Sequence, residues 1–554
     1  MKTVILHSAN QVINYFRKIN WVLLLFLVLV LNVKLTVNIA AIILITLNRF
    51  KTISWKNIVR QRQLYFYFAI IGVGLINYMI LLKATHINYL VTVLFGIGLW
   101  ILAAAASYHL FLIIEKEEKE KLYNTVTLFF ILHIGAVFLN LLRIMIECGI
   151  LNPYTFKGLN QKYYISTGDH ITGITFDSPV TTALIGAFAL LYFLYRRQFV
   201  LSLLATASMI VIGSNLSNIF LGIILLFVFI FHSDRIQKSM VIVQLCLLII
   251  FNVKISPRDN EYVGRVIYNM LGKTYDLPKK NESIDFIKTQ PDSLLDLTER
   301  KKKAAQLYID SISGLNVEKK DSVVTANNIT PAVKKDTALV NKQSYEFREP
   351  ESITERKNKY ILFIDKNYPV VQRDSLQRSF NWKKPGKWIA YMELFNFLKS
   401  HPSKIFLGAG IGNFSSRTAY KVTSLNMAGA YPQKFSHIHP WFLSNHLYVY
   451  LYYHSKDQMK QAAANTPDST YSQLVGEYGI VGLLLFVGLY IRFFIRRFRY
   501  LTYGLPLLFL LMAAFSVEYW FEQLSIVILF EVLLFLDTRS NDPKFLKQEE
   551  GQSL

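Results

Sequence analysis

The sequence predicts an all-α polytopic membrane protein with about twelve transmembrane helices and one large, partly helical loop outside the membrane. Three observations predict it. The chain is 53% apolar, above the roughly 45 to 50% of soluble domains, and its mean hydropathy is +0.31. Its apolar residues gather into runs approaching the roughly 20 residues that a membrane helix needs. After nine such runs the hydrophobicity stops, from about residue 254 to 477, and then resumes for three more.

The first nine runs occupy residues 21–33, 35–48, 64–83, 88–113, 123–147, 179–195, 198–213, 215–232 and 238–253. The last three occupy 478–496, 503–519 and 521–537. The first two runs are short and flank Lys34, so one long tilted helix is the competing reading. Met1 to Asn20 carries Lys2, Arg17 and Lys18, and no small-residue cleavage site follows the run that begins at Trp21; this predicts an uncleaved first span. Arg143 and Glu147 lie one turn apart near the end of the fifth run and are placed to pair.

Charge tests the count, because cytoplasmic connections are enriched in Lys and Arg. With the N-terminus inside, Arg49, Lys51, Lys56, Arg60, Arg62, Arg196, Arg197, Arg235, Lys238, Arg492, Arg496, Arg497 and Arg499 all fall on one side. The connection after Ile150 and the large loop then lie outside, which in a Gram-negative cell is the periplasm. Merging the first two runs would reverse this arrangement. The chain therefore divides into a nine-span bundle at 1–253, a periplasmic loop at 254–477, a three-span bundle at 478–537 and a cytoplasmic tail at 538–554. Within the loop, residues 275–350 are rich in Lys, Asp, Ser and Asn and poor in aromatics, which predicts a flexible insertion.

The formal charge of +23 raises nucleic acid as a partner, but the basic residues sit in short connections between apolar runs rather than on an aromatic-interleaved surface. Nucleic-acid binding is set aside. The two cysteines, Cys148 and Cys246, provide neither a disulfide framework nor a paired metal motif.

The loop carries the chemistry. Trp388, Tyr391, Met392, Phe395 and Leu398 recur at helical spacing after Pro385, which fits a helix lying on the membrane surface or against the bundle. Next comes Phe406-Leu407-Gly408-Ala409-Gly410-Ile411-Gly412-Asn413-Phe414, then Ser415, Ser416 and Arg417. Such glycines permit either close approach to a phosphate or a tight turn between helices, and spacing alone weighs the two evenly. His437, His439, Trp441, Asn445, His446 and several tyrosines follow; aromatics mixed with Asn and His suit sugar faces, although packing is the commoner role. His437 and His439 are too close for a helical zinc pair, and no metal or other cofactor is expected. Finally, a segment from Asp468 through a polar turn at Glu477 enters the tenth run, and a carboxylate at the mouth of a membrane helix is a functional candidate.

These elements resemble the O-antigen ligase and O-antigen polymerase superfamily, in a divergent subgroup of Bacteroidetes type. The resemblance rests on Trp388, His401-Pro402, Gly408 to Phe414, and Glu477 to Phe486, with Gly173 to Phe176 before the sixth run. It implies a metal-independent, inverting glycosyltransferase of the bacterial inner membrane. The donor would be an undecaprenyl-diphosphate-linked glycan, and the acceptor lipid A core or a growing glycan. Three positions depart from the family pattern: Asp468 stands where a His is expected, Ser214-Asn215 where a Ser-Arg pair is expected, and Lys384 or Lys387 where an Arg is expected.

Such a reaction needs cations for a diphosphate leaving group and a base for the acceptor hydroxyl. Arg417, Arg378, Lys384 and Arg258 are the candidate cations, and Asp468, Glu477 and His446 the candidate bases, with Glu477 able to serve by orientation alone. Asn413, Asn445 and Tyr471 are the candidates for holding the sugar. For each, a solvated loop charge or a helix cap is the competing role. A polyprenyl-phosphate-sugar transferase is disfavoured because no Asp or Glu precedes Glu115 and no DxD occurs. A lipid-linked glycan flippase is the main non-enzyme alternative, opposed by the lack of visible repeats and the sparse charges within the runs, such as His133, Glu518, Glu522 and Glu531.

Overall fold

Each predicted apolar run carries a helix, because long apolar side chains favour it and the prolines within the runs, Pro179 and Pro506, fall in first turns. The computed structural model describes residues 16–32, 34–81, 87–149, 151–155, 171–175, 178–255, 385–423, 432–447, 449 and 466–541, with short pieces at 268, 287–288, 299–300 and 303–307. The bundle opens with α1 (Trp21–Val30), α2 (Leu35–Asn48), α3 (Leu64–Leu81), α4 (Ile87–Lys116) and α5 (Lys119–Cys148). It continues with α6 (Pro179–Tyr195), α7 (Phe199–Val211), α8 (Asn215–Phe231) and α9 (Arg235–Ile250). The loop segment contributes α10 (Gly386–Ser400) and α11 (Arg417–Lys421), and the chain closes with α12 (Thr470–Leu485), α13 (Gly504–Ala514) and α14 (Ser525–Asn541). No strand occurs among the described residues.

Local chemistry sets the boundaries. Asn20 caps α1 by accepting from the Leu23 amide at 2.9 Å. Ser178 caps α6, with Pro179 in its first turn. Asp234 and Gln237 form a reciprocal capping box on α9, and left-handed Gly149 ends α5.

Among the described residues, five helices are long and apolar enough to cross a membrane: Leu64–Leu81, Ile87–Lys116, Lys119–Glu147, Arg235–Ile255 and Thr470–Ile495. Their outward residues are largely apolar, as at Leu139, Ile146, Ile242 and Leu484, a surface that suits lipid better than water. The shorter helices α6 and α14, 17 residues each, span roughly 25 Å. They lie at the centre, with every residue from Thr181 to Leu194 and from Ser525 to Arg539 buried.

The apolar helices alternate between two ends of the bundle. At one end Lys18 pairs with Glu120 at 2.9 Å and Arg197 with Asp234 at 2.8 Å. Arg60 pairs there with Glu115, and Arg539 donates to the carbonyls of Ile114 and Glu117. At the other end Asn32 donates to the Thr175 carbonyl, Asn38 to that of Gln523, Asn88 to that of Ser436, and the Thr470 amide to that of Phe515. The predicted sorting of charged connections is thus built into the packing, and the loop segment docks at the opposite end. Arg143 and Glu147 pair at 2.7 Å as their spacing predicts.

Residues 21–48 form two helices, with Lys34 at the start of the second, as the reading of two separate runs expects. The structure corrects three other expectations. The tenth apolar helix begins at Thr470, so Glu477 lies inside a helix rather than in a turn before it. α13 stops at Ala514 and α14 starts at Ser525, so Glu518 and Glu522 sit in a connector containing the short turn Trp520–Gln523, not within helices of the bundle. In α10 the predicted stripe is split: Ile389, Leu394 and Phe397 face inward, whereas Trp388, Met392 and Phe395 face outward. Most of the 275–350 insertion and the tail beyond Asn541 lie outside the described residues.

Candidate functional site

The glycine motif is a docking loop. Ala409 and Gly410 donate to the carbonyls of Gly476 and Glu477 at 2.8 and 3.0 Å, and Ile480 and Val481 donate to those of Ile405 and Phe406 at 2.8 and 3.1 Å. This pairing is possible because α12 is broken at Gly479 (φ 69°, ψ −166°), a conformation that only glycine adopts readily. A β-carbon at Gly479 would lie 2.2 Å from the Phe406 carbonyl oxygen, and one at Gly408 would lie 2.4 Å from the Glu477 carbonyl carbon. Ile411 seats between α3 and α4, where Gly74 and Gly96 leave room; added β-carbons there would meet its side chain at 2.6 and 2.4 Å. With the Gly408, Asn413 and Phe414 amides also bonded within the chain, the loop is a turn locked onto a helix rather than a phosphate cradle.

Docking this loop encloses a polar cluster between α10, α11, the start of α12 and the 515–524 connector. Lys387, on the inner side of α10, donates to the carbonyls of Asp468 and Val517 at 2.5 and 2.8 Å. Burial pulls its ammonium down to about 8, opposed by Asp468 and Glu518. Glu518 accepts from Gln523 at 2.6 Å and lies within electrostatic reach of Asp468, Arg417 and Lys387. Glu522 holds the head of α11, accepting from the Thr418 amide at 2.9 Å and its hydroxyl at 2.8 Å. Half-buried Arg417 and Lys421 stand one turn apart on α11. Burial, aided by Arg417 and opposed by Glu522, lowers Lys421 to about 8. Ser415 joins Ser472 and Tyr519 at 3.0 Å each, closing the inner wall.

The predicted residues divide by environment. Asp468 and Arg417 belong to the cluster, and Asp468 is buried there, 7% exposed. Glu477 is fully buried behind the loop, where Oε1 accepts from the Phe414 amide at 3.4 Å and Oε2 has no partner. His446 is equally buried, edge-on to Phe414 at 4.6 Å, with both ring nitrogens unpartnered, and burial lowers it to about 3. Asn413 ties the loop internally, donating to the Ala409 carbonyl at 3.0 Å while its Oδ1 lies 3.0 Å from His437 Nε2. Asn445 bonds to the Trp441 carbonyl at 2.8 Å, and the Tyr471 hydroxyl is taken up by the Met512 carbonyl at 2.7 Å. Arg378, Lys384 and Arg258 lie outside the described residues.

Sequence reasoning missed Lys421, Glu518 and Glu522 as members of the cluster, and it passed over Gln473. Gln473 is fully buried one turn before Glu477, with both amide atoms unpartnered. Nothing local marks it, whereas the spacing of Arg417 and Lys421 was visible and went unused. No family model, curated protein or solved structure matches this chain.

Proposed function

We propose that the chain is a glycosyltransferase that joins an undecaprenyl-diphosphate-linked glycan to an acceptor at the periplasmic face of a bacterial inner membrane, as an O-antigen ligase or polymerase does. In this reading all twelve apolar helices cross the membrane and the 254–477 loop is periplasmic. The observation that carries it is the cluster in which Arg417, Lys387 and Lys421 face Asp468, Glu518 and Glu522 where the loop segment meets the apolar bundle. A lipid-borne diphosphate would present its head group at such a place.

The chemistry follows from position. The acceptor hydroxyl oxygen attacks the anomeric carbon on the face opposite the diphosphate, and the bond from that carbon to the diphosphate oxygen breaks. Arg417 and Lys421 balance the charge of the departing undecaprenyl diphosphate. The hydroxyl proton passes to Asp468, because it is the least enclosed of the three candidate bases, 7% exposed, whereas Glu477 and His446 are fully buried behind the loop. No metal or other cofactor enters this scheme. Membrane lipids, the lipid-linked donor and a lipid A core or growing glycan acceptor are the expected partners.

The second reading, a flippase for the same lipid-linked glycan, draws on one feature. Glu531 is buried inside the bundle with the Tyr67 hydroxyl at 2.6 Å, the type of internal carboxyl that transporters use. The test is purified protein in detergent, given lipid-linked glycan with and without lipid A core. Elongated or transferred glycan supports the enzyme; unchanged substrate under both conditions, with flipping in proteoliposomes, supports the transporter.

A further inference from the structure

The outward face of α10 has a surface that packing leaves unexplained. Trp388, Met392 and Phe395 recur at i, i+4 and i+7 on one side of the helix. They are 47%, 44% and 63% exposed. Phe406, just beyond α10, is 67% exposed. The opposite side of α10 is committed to the protein: Leu394 and Phe397 pack with Ala409 and Phe414, and Tyr391 reaches Ser469 at 2.8 Å. The helix therefore cannot roll to hide its aromatic face.

We propose that this face is seated in the lipid bilayer, making α10 and the turn through Phe406 a non-spanning membrane anchor beside α12. Continuity is the first reason. Backbone bonds from Ile480 to Ile405 and from Val481 to Phe406 set Phe406 against the outer strip of α12, where Ile480 and Leu484 are also exposed. That helix is long and apolar enough to cross a membrane, so the two apolar surfaces meet the same solvent. Residue type is the second. Trp388 begins the stripe and exposed Lys399 ends it on the same side, and tryptophan and snorkelling lysine both favour the level of the head groups. Seated this way, α10 fixes the height of Lys387, and with it the polar cluster, at the lipid surface. The inference stands apart from the transferase reading.

The test uses the full chain with Cys148→Ser and Cys246→Ser, reconstituted in nanodiscs. Single nitroxide labels are placed through Trp388→Cys, Phe395→Cys and Phe406→Cys, with Leu484→Cys as the lipid reference and Ser400→Cys as the water reference. The proposal expects oxygen to relax the first three labels more than a water-soluble nickel chelate does, as at Leu484. Labels relaxed more by the chelate, as at Ser400, would overturn it. So would labels shielded from both reagents, which would mean that protein covers the face. Three independent positions keep the test decisive if one variant fails to fold, and either negative result leaves the transferase reading standing.

Discussion

Replacing Gly479 by alanine should release the glycine loop from α12 without unfolding the bundle. The backbone there has φ 69° and ψ −166°, which costs a residue with a side chain about 1–3 kcal/mol. The new β-carbon would also sit 2.2 Å from the Phe406 oxygen, so the Ile480 to Ile405 and Val481 to Phe406 bonds cannot keep their geometry. Losing both adds about 1 kcal/mol each. A net cost of about 3–5 kcal/mol shifts the docked-to-undocked ratio by roughly 100-fold or more. Hydrogen exchange reads this directly, because the amides of Ala409, Gly410, Ile480 and Val481 form the junction. Gly488→Ala, on the continuation of α12 with nothing within 4 Å of the added carbon, is the control and should exchange as the parent does. Equal protection in the two variants would refute the docking argument.

Three further outcomes follow from the same geometry. Ile411→Ala empties the space between Gly74 and Gly96 and should destabilise the protein by about 2–5 kcal/mol, seen as a lower thermal midpoint in detergent. Glu522→Ala strips the acceptor from the buried Thr418 amide and hydroxyl, costing about 1–3 kcal/mol and speeding exchange across Arg417–Lys421. Lys421 gives a signed pH effect: its folded value of about 8 lies below the ordinary 10.5, so between those values the unfolded chain binds more protons and stability rises with pH. Unfolding measured at pH 8 and pH 10 should show a smaller rise in Lys421→Met than in the parent; identical slopes would contradict the assignment.

Much of the architecture was legible because hydrophobic length is a strong signal. Every helix of the bundle lies on a predicted run, and the basic connections Arg49 to Arg62 and Arg196-Arg197 fall at the end where the predicted pattern puts them. The connector at 515–524 was hidden because Phe515, Val517, Tyr519, Trp520 and Phe521 surround Glu518 and Glu522, and apolar neighbours make a polar corner read as a span. The early start of α12 was hidden by Gly476, Glu477 and Gly479, which read as a turn; the structure keeps the helix and places a single break at Gly479. The turn role of the glycine motif could not be separated from phosphate binding by spacing, since both need bare backbone. What decides it is the carbonyls of Gly476 and Glu477, contributed from more than sixty residues away.

The most direct test of the central claim is transfer by purified protein from an undecaprenyl-diphosphate-linked glycan to a lipid A core or glycan acceptor, comparing the parent with Arg417→Ala and Asp468→Asn at matched thermal stability. The account predicts product from the parent and at least roughly 100-fold less from each variant, the effect expected of a lost transition-state charge or general base. Undiminished transfer by both variants would contradict it.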